Sequence, residues 1–137
     1  MNILIDTNVV LNILLKQPPF CTGSTMIFYL AEEGRFTGYI SASAITDIFY
    51  VAQKQLGKGP TKEAIKKILQ VFHPATVTDS HIFQALDLDW SDFEDSVQFV
   101  VGEGLYVDFI ITRNTQDFSF GSITAVTPEQ FLEAITG

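Results

Sequence analysis

The segment Ile3-Leu4-Ile5-Asp6-Thr7-Asn8 decides the fold, because a short apolar run ends there abruptly in polar side chains. An uninterrupted apolar run is typical of a strand that is buried on both faces of a parallel sheet. The same pattern returns late in the chain, where Phe109-Ile110-Ile111 is followed by the polar residues 112–117. Ligands bind outside the carboxyl ends of such strands, so these two polar segments are the first places to look for a site.

Further short apolar runs alternate with longer segments in which apolar residues recur every three or four positions. This alternation favours βα units and a parallel sheet over an all-α or all-β domain. We predict one α/β domain over residues 1–137 with roughly seven helices and about five strands. The predicted strands lie at residues 2–5, 37–40, 75–77, 109–112 and 123–126.

Two predicted helices carry recognisable start signals. Ser91 and Glu94 have the spacing of a capping box, in which two side chains satisfy backbone N–H groups at the start of a helix. Thr127 and Gln130, with Pro128 at the first helical position, have the same spacing. On this interpretation Glu94 caps the N-terminus of a helix.

Composition limits the class of protein. With 137 residues, of which 47% are hydrophobic and 18% charged, the chain can bury a sizeable core. Cys21 is the single cysteine and cannot form an intramolecular disulfide, and no cationic leader precedes Asp6. These features predict a soluble cytoplasmic protein without a membrane segment. The net charge of −8 has the wrong sign for holding a polyanion on a basic surface.

Four acidic residues are candidates for one site. Asp6 and Asp117 follow the two apolar runs, whereas Asp47 and Asp95 lie early in predicted helices. Each also has a structural explanation, because Asp is common in turns and at helix starts, where the helix dipole stabilises it. Asp47 fits that explanation least, since it is the sole charge between residues 36 and 53.

If these four carboxylates converge, their repulsion would raise some of their pKa values unless a cation intervened. Mg²⁺ and Mn²⁺ are the natural cations for a site made of carboxylates, because softer metals would call for Cys or His ligands. His73 and His81 fit surface or capping positions better than ligand positions. The sequence therefore points to a hard divalent cation.

The basic residues are few and unevenly placed. Five of the eight lie within fourteen positions, and their spacing suits either a solvated helical face or a ridge that contacts phosphate groups. Arg113 leaves a similar choice open, between a phosphate contact and a surface salt bridge. The five clustered residues are Lys54, Lys58, Lys62, Lys66 and Lys67.

Three segments, taken in order, resemble a PIN domain, the metal-dependent ribonuclease fold of VapC-like toxins and of RNA-processing nucleases. They are Ile3-Leu4-Ile5-Asp6-Thr7-Asn8-Val9-Val10, Asp92-Phe93-Glu94-Asp95-Ser96 and Ile110-Ile111-Thr112-Arg113-Asn114-Thr115-Gln116-Asp117-Phe118. Residues 126–132 are similar to the last strand and helix of that family. The resemblance spans the whole chain, and the order and separation of the segments carry it.

The resemblance implies a three-layer α/β/α sandwich with an acidic pocket that binds one or two Mg²⁺ or Mn²⁺ ions. Asp6 matches the family's first ligand and Asp95 its third. Asp47 falls where the family more often has Glu. The fourth ligand falls on Asn114, a position that is Asp in some members, or on Asp117 one helical turn later.

Two polar residues, Asn8 and Thr112, match side chains that support the pocket. The implied reaction is hydrolysis of an RNA phosphodiester by metal-activated water. RNA would then contact Arg113, Lys54 and Lys58. The resemblance further implies that an antitoxin protein and a second copy of the chain are partners to test.

Two other classes of protein fit part of the pattern. Haloacid-dehalogenase-like phosphatases need a second acid at the position of Asn8, and receiver domains need a lysine after a late strand, whereas the last lysine here is Lys67. A PIN-like module that binds RNA or protein without catalysis is the stronger alternative, because Asp47 and Asn114 depart from the family pattern.

Overall fold

The computed structural model describes residues 1–136, which form five strands, seven α-helices and one short 3-10 helix. The longest helix has 15 residues, and none within this range is both long and apolar enough to cross a membrane. The strands are β1 (Asn2–Ile5), β2 (Thr37–Ser41), β3 (His73–Ala75), β4 (Phe109–Ile111) and β5 (Thr124–Val126). The helices are α1 (Thr7–Leu15), α2 (Cys21–Glu32), α3 (Ala42–Leu56), α4 (Lys58–Ile68), α5 (Asp79–Leu86), α6 (Phe93–Gly104) and α7 (Pro128–Thr136), with the 3-10 helix at Thr115–Phe118.

All five strands are parallel and lie in the order β3-β2-β1-β4-β5. All five predicted strands are confirmed, with bounds that differ by two residues at each end of β3 and by one residue at the end of β2, the end of β4 and the start of β5. β3 lies earlier than residues 75–77, because Pro74 is tolerated on an edge strand and pairs there opposite Ile40. β4 ends at Ile111, which leaves Thr112 just beyond the strand.

Alternate residues of β1 face the two sides of the sheet. Ile3 and Ile5 join an apolar cluster with α1, α2, α3, α4 and α7, whereas Leu4 joins a second cluster with α5 and α6. All three side chains are fully buried, as expected for the central strand of a sheet that is covered on both faces. The structure confirms the predicted three-layer α/β/α sandwich.

The two predicted capping boxes have different outcomes. At α7 the box forms, since Thr127 Oγ1 accepts from the Gln130 N–H at 3.1 Å and Gln130 Oε1 accepts from the Thr127 N–H at 2.9 Å. At α6 the prediction is wrong: the N-cap is Asp92, whose Oδ1 accepts from the Asp95 N–H at 3.0 Å. Because the cap lies one residue later than Ser91, Glu94 has no capping role.

Candidate metal centre

Asp6 lies at the junction of β1 and α1 and is held by three donors. Its Oδ1 accepts from the Thr7 N–H at 2.7 Å and from Gln98 Nε2 at 2.9 Å. Its Oδ2 accepts from Thr112 Oγ1 at 2.7 Å. Only 6% of Asp6 is exposed, so the position of its carboxylate is fixed from inside the protein.

The topology of the sheet explains where this carboxylate lies. The chain runs from β1 to β2 and β3 on one side, and β4 and β5 lie on the other, so the direction of winding changes between β1 and β4. The ladder continues past the strands, since the Asp6 N–H donates to the Ile111 carbonyl at 2.9 Å. Crevices at such switch points are the usual ligand sites of open α/β sheets.

Glu94 joins the site from α6 and was missed by the sequence prediction. Its Oε1 accepts from Thr7 Oγ1 at 2.8 Å. Burial raises the pKa of Glu94 to about 7, with further increases from the nearby Asp47 carboxyl and from the charge of Asp6. Asp47 on α3 is therefore part of the same acidic group.

Asp95 and Asp117 complete the acidic group. Burial raises the pKa of Asp95 to about 7, and the charges of Asp6, Asp92 and Asp117 raise it further. Burial also raises the pKa of Asp6, more than its three hydrogen bonds lower it. The structure thus brings together all four predicted acids, Asp6, Asp47, Asp95 and Asp117, and adds Glu94 as a fifth.

The predicted supporting residues shape the loop after β4. Thr112 is fully buried and, besides donating to Asp6, accepts from the Asn114 N–H at 3.0 Å. Asn8 Oδ1 accepts from the Arg113 N–H at 3.2 Å. The exposed Asn114 side chain makes no hydrogen bond with the acids in the described part of the chain, so Asp117 is the better match for the fourth acid.

Arg113 does not have the free guanidinium that a phosphate contact requires. Its side chain forms an ion pair with Glu129 and is only 13% exposed. It also donates to Asn12 Oδ1 at 3.1 Å, to Ser24 Oγ at 2.9 Å and to the Phe20 carbonyl at 2.7 Å. The salt-bridge alternative therefore describes Arg113 better than a phosphate contact does.

The lysine cluster begins on the same helix as Asp47. Tyr50 and Lys54 follow Asp47 by one and two turns of α3, and all three are exposed. The Lys54 ammonium lies 4.3 Å from the centre of the Tyr50 ring, which remains 59% exposed. Lys58 is exposed at the start of α4.

The donor chemistry of the site fits Mg²⁺ or Mn²⁺. Five carboxylates converge, and their mutual repulsion adds to burial in raising the pKa values of Asp6, Glu94 and Asp95. Within residues 1–136 no three His, Cys, Asp or Glu side chains are close enough together to enclose an ion by themselves. Mg²⁺ does not need such a cage, because it usually keeps several waters and takes one or two carboxylates.

Two solved structures share this fold. A chain of VapBC2 from Rickettsia felis, crystallised bound to a DNA fragment from their promoter, has a TM-score of 0.70 and 14% identity, with 93% of this chain and 98% of that chain covered. A chain of FitAcB from Neisseria gonorrhoeae has a TM-score of 0.63 and 17% identity, with the same coverage.

Comparison of the sequence with known families identifies one family. No curated protein sequence matches the chain significantly. The family model described as PIN domain matches residues 2–116, a range that contains Asp6, Asp47, Glu94 and Asp95 but ends one residue before Asp117 and before the last strand and helix. This chain belongs to the PIN-domain family.

Proposed function

We propose that this chain is a Mg²⁺- or Mn²⁺-dependent endoribonuclease and the toxin of a toxin–antitoxin pair. The observation that carries the proposal is the convergence of five carboxylates, from four segments of the chain, on the switch point of the sheet. PIN domains are typically nucleases, which supports hydrolysis of phosphodiesters as the reaction.

Each acid has a distinct part in this proposal. Asp6 is the central ligand, because its carboxylate is fixed by three neutral donors. Asp95 and Glu94 are half-buried beside it, and Asp47 and Asp117 form the exposed rim of the pocket. When bound, the metal would supply an activated water and stabilise the oxygens of the phosphodiester.

We propose that the RNA passes along α3 beside the acidic group. Tyr50 offers an exposed ring on which a base can stack, and Lys54 offers an ammonium for the adjoining phosphate. Asn8, Asn114 and Lys16 are among the residues that line a groove of about 700 Å³. We propose Tyr50, Lys54 and Lys58 as RNA contacts, of which the two lysines add local positive charge to a protein of net charge −8.

The antitoxin part of the proposal has separate support. It comes from the resemblance of the acidic segments to VapC-like toxins and from the fold shared with chains of VapBC2 and FitAcB. The protein partner would bind this chain and limit its cleavage of RNA. Co-expression of the adjacent gene product with this chain, followed by purification through a tag on one of them, tests whether a complex forms.

The nuclease proposal is tested with purified protein and end-labelled single-stranded RNA, with and without Mn²⁺. We expect Mn²⁺-dependent cleavage by the wild type and a loss of at least about a hundredfold in Asp6→Asn. Asp89→Asn, which changes an exposed acid outside the pocket, is the matched control and should cleave like the wild type.

The outcomes separate the alternatives. Equal cleavage by wild type and Asp6→Asn would point to a contaminating nuclease and contradict the proposal. A rise in melting temperature with Mn²⁺, combined with no cleavage of any RNA tested, would instead favour a PIN-like binding module without catalysis.

A further inference from the structure

Gln98 is a fully buried amide that contacts the candidate metal centre from α6. Its Nε2 donates to Asp6 Oδ1 at 2.9 Å. Its Oε1 is buried and has no protein hydrogen-bond partner within residues 1–136. The amide nitrogen of Gln98 is therefore hydrogen-bonded, whereas its amide oxygen is not.

The surroundings of Gln98 make this polar side chain costly. Its neighbours Val97, Phe99, Val100 and Val101 are all buried in the apolar cluster between α6 and the sheet. A methionine at position 98 would fill similar space without a buried, unpaired carbonyl, and burying an unpaired polar group is unfavourable. Gln98 is thus poorly explained by stability of the core.

The contact with Asp6 provides the explanation. A carboxylate can only accept hydrogen bonds, so the amide must turn its nitrogen toward Asp6. Together Gln98, Thr112 and the Thr7 N–H hold both carboxylate oxygens in place. None of these donors carries a full positive charge, so they orient the carboxylate without replacing the cation that it would bind.

We propose that Gln98 is a positioning residue that holds the Asp6 carboxylate in the orientation needed to bind a divalent cation. This inference rests on the metal site of the proposed function. Hydrogen-bond partners of metal ligands typically change metal affinity by roughly 10–100-fold when they are removed. Gln98 acts through Asp6 and has no direct role in the reaction.

The test compares Gln98→Met with the wild type by isothermal titration with Mn²⁺ and by thermal unfolding without metal. We expect Mn²⁺ affinity to fall by at least about tenfold, while the melting temperature of the metal-free protein stays the same or rises. Val101→Ala is the matched control on the same helix. It should lower the melting temperature and leave the Mn²⁺ affinity unchanged, because Val101 lies in the apolar cluster.

If Gln98 only stabilised the fold, both results would be reversed. If Gln98→Met lowers the metal-free melting temperature and binds Mn²⁺ as the wild type does, the inference is overturned. If this variant does not fold, the test is made on the wild-type protein. In a ¹⁵N NMR spectrum, the side-chain NH₂ signals of Gln98 are expected to shift as Mg²⁺ saturates the site. Unchanged signals would overturn the inference.

These results are distinguishable from a failure of the proposed function. A wild type that binds Mn²⁺ but cleaves no RNA removes the nuclease proposal and leaves the role of Gln98 intact. A wild type that binds neither Mn²⁺ nor Mg²⁺ overturns both.

Discussion

At the scale of single residues, the acidic group carries charge that destabilises the metal-free protein. Glu94 keeps its hydrogen bond from Thr7 Oγ1, yet burial and the neighbouring Asp47 raise its pKa to about 7. A group whose pKa is strongly raised by burial and by a specific charged neighbour is typical of a functional site.

The variant Glu94→Gln tests whether the charge of Glu94 destabilises the metal-free protein. The amide oxygen can still accept from Thr7, but the charge beside Asp47 is gone. We expect the metal-free variant to be more stable than the wild type at pH 8, where Glu94 is ionised, and similar to it at pH 5, where Glu94 is protonated. Urea unfolding at both pH values measures this.

The same variant should bind Mn²⁺ more weakly than the wild type, because a ligand charge has been removed. Glu103→Gln, at an exposed position of the same helix, is the control and should alter neither property. A loss of stability in Glu94→Gln at pH 8 would contradict the charge argument.

The sequence prediction missed Glu94 because it placed the N-cap of α6 one residue too early. Ser91 and Asp92 are both acceptable N-caps, and the spacing to Glu94 favours Ser91. The structure uses Asp92, and a shift of one residue turns a helix by about 100°, so that Glu94 faces Thr7 instead of the helix end. Gln98 did leave a signal, as a lone amide between Val97 and Val101 in a segment of helical spacing.

At the scale of elements, Arg113 ties the loop after β4 to three helices. It bonds Asn12 of α1 and Ser24 of α2 and forms an ion pair with Glu129 of α7. Asn12 and Ser24 are buried, so loss of the guanidinium would remove a charged donor from the protein interior. The loop that carries Thr112 and leads to Asp117 is thereby fixed.

Arg113→Met should accordingly reduce the free energy of unfolding by about 2–4 kcal/mol, as expected when a buried charged partner is removed. Glu129→Gln removes the other half of the ion pair, but Glu129 is 57% exposed, so its loss should cost less than about 1 kcal/mol. Urea unfolding of both variants compares them. Equal losses in the two variants would contradict the central role of Arg113.

Helix α3 connects the pocket to the proposed RNA contacts. Lys54→Ala should raise the KM for RNA and reduce its dependence on salt, with little change in Mn²⁺ affinity, because Lys54 lies two turns from Asp47. Lys66→Ala is the control, since Lys66 is already paired with Glu63 on α4. Equal effects of the two substitutions on KM would argue for a diffuse electrostatic effect instead of a specific contact.

At the scale of the whole molecule, the alternation of short apolar runs with segments of helical spacing was sufficient to predict the architecture. Ile3, Leu4 and Ile5 predict a strand covered on both faces, and the parallel partners follow from the helical segments between strands. Side-chain contacts between distant segments were not predictable in this way. The bond from Gln98 to Asp6 spans 92 positions, and no local pattern encodes its geometry.

Stability of the whole metal-free molecule should depend on pH through the acidic group. Glu94 and Asp95 have folded-state pKa values of about 7, above their ordinary values, so the folded protein holds more protons than the unfolded chain between about pH 4 and 7. Their contribution therefore falls as pH rises through this range and is level above it.

Thermal unfolding from pH 5 to 8 measures this dependence. We expect the melting temperature of the metal-free protein to decline toward pH 8, and saturating Mg²⁺ to reduce or reverse that decline, because the cation binds the deprotonated acids. A melting temperature that rises steadily with pH in the absence of metal would contradict the prediction.

The position of β1 in the middle of the sheet has a consequence during translation. β1 and Asp6 leave the ribosome about a hundred residues before β4, the neighbour of β1 on its other edge, which begins at Phe109. Glu94, Asp95 and Asp117 also belong to the last third of the chain. On the proposed function, a nascent chain would therefore be harmless to its own messenger RNA until Asp117 has been synthesised.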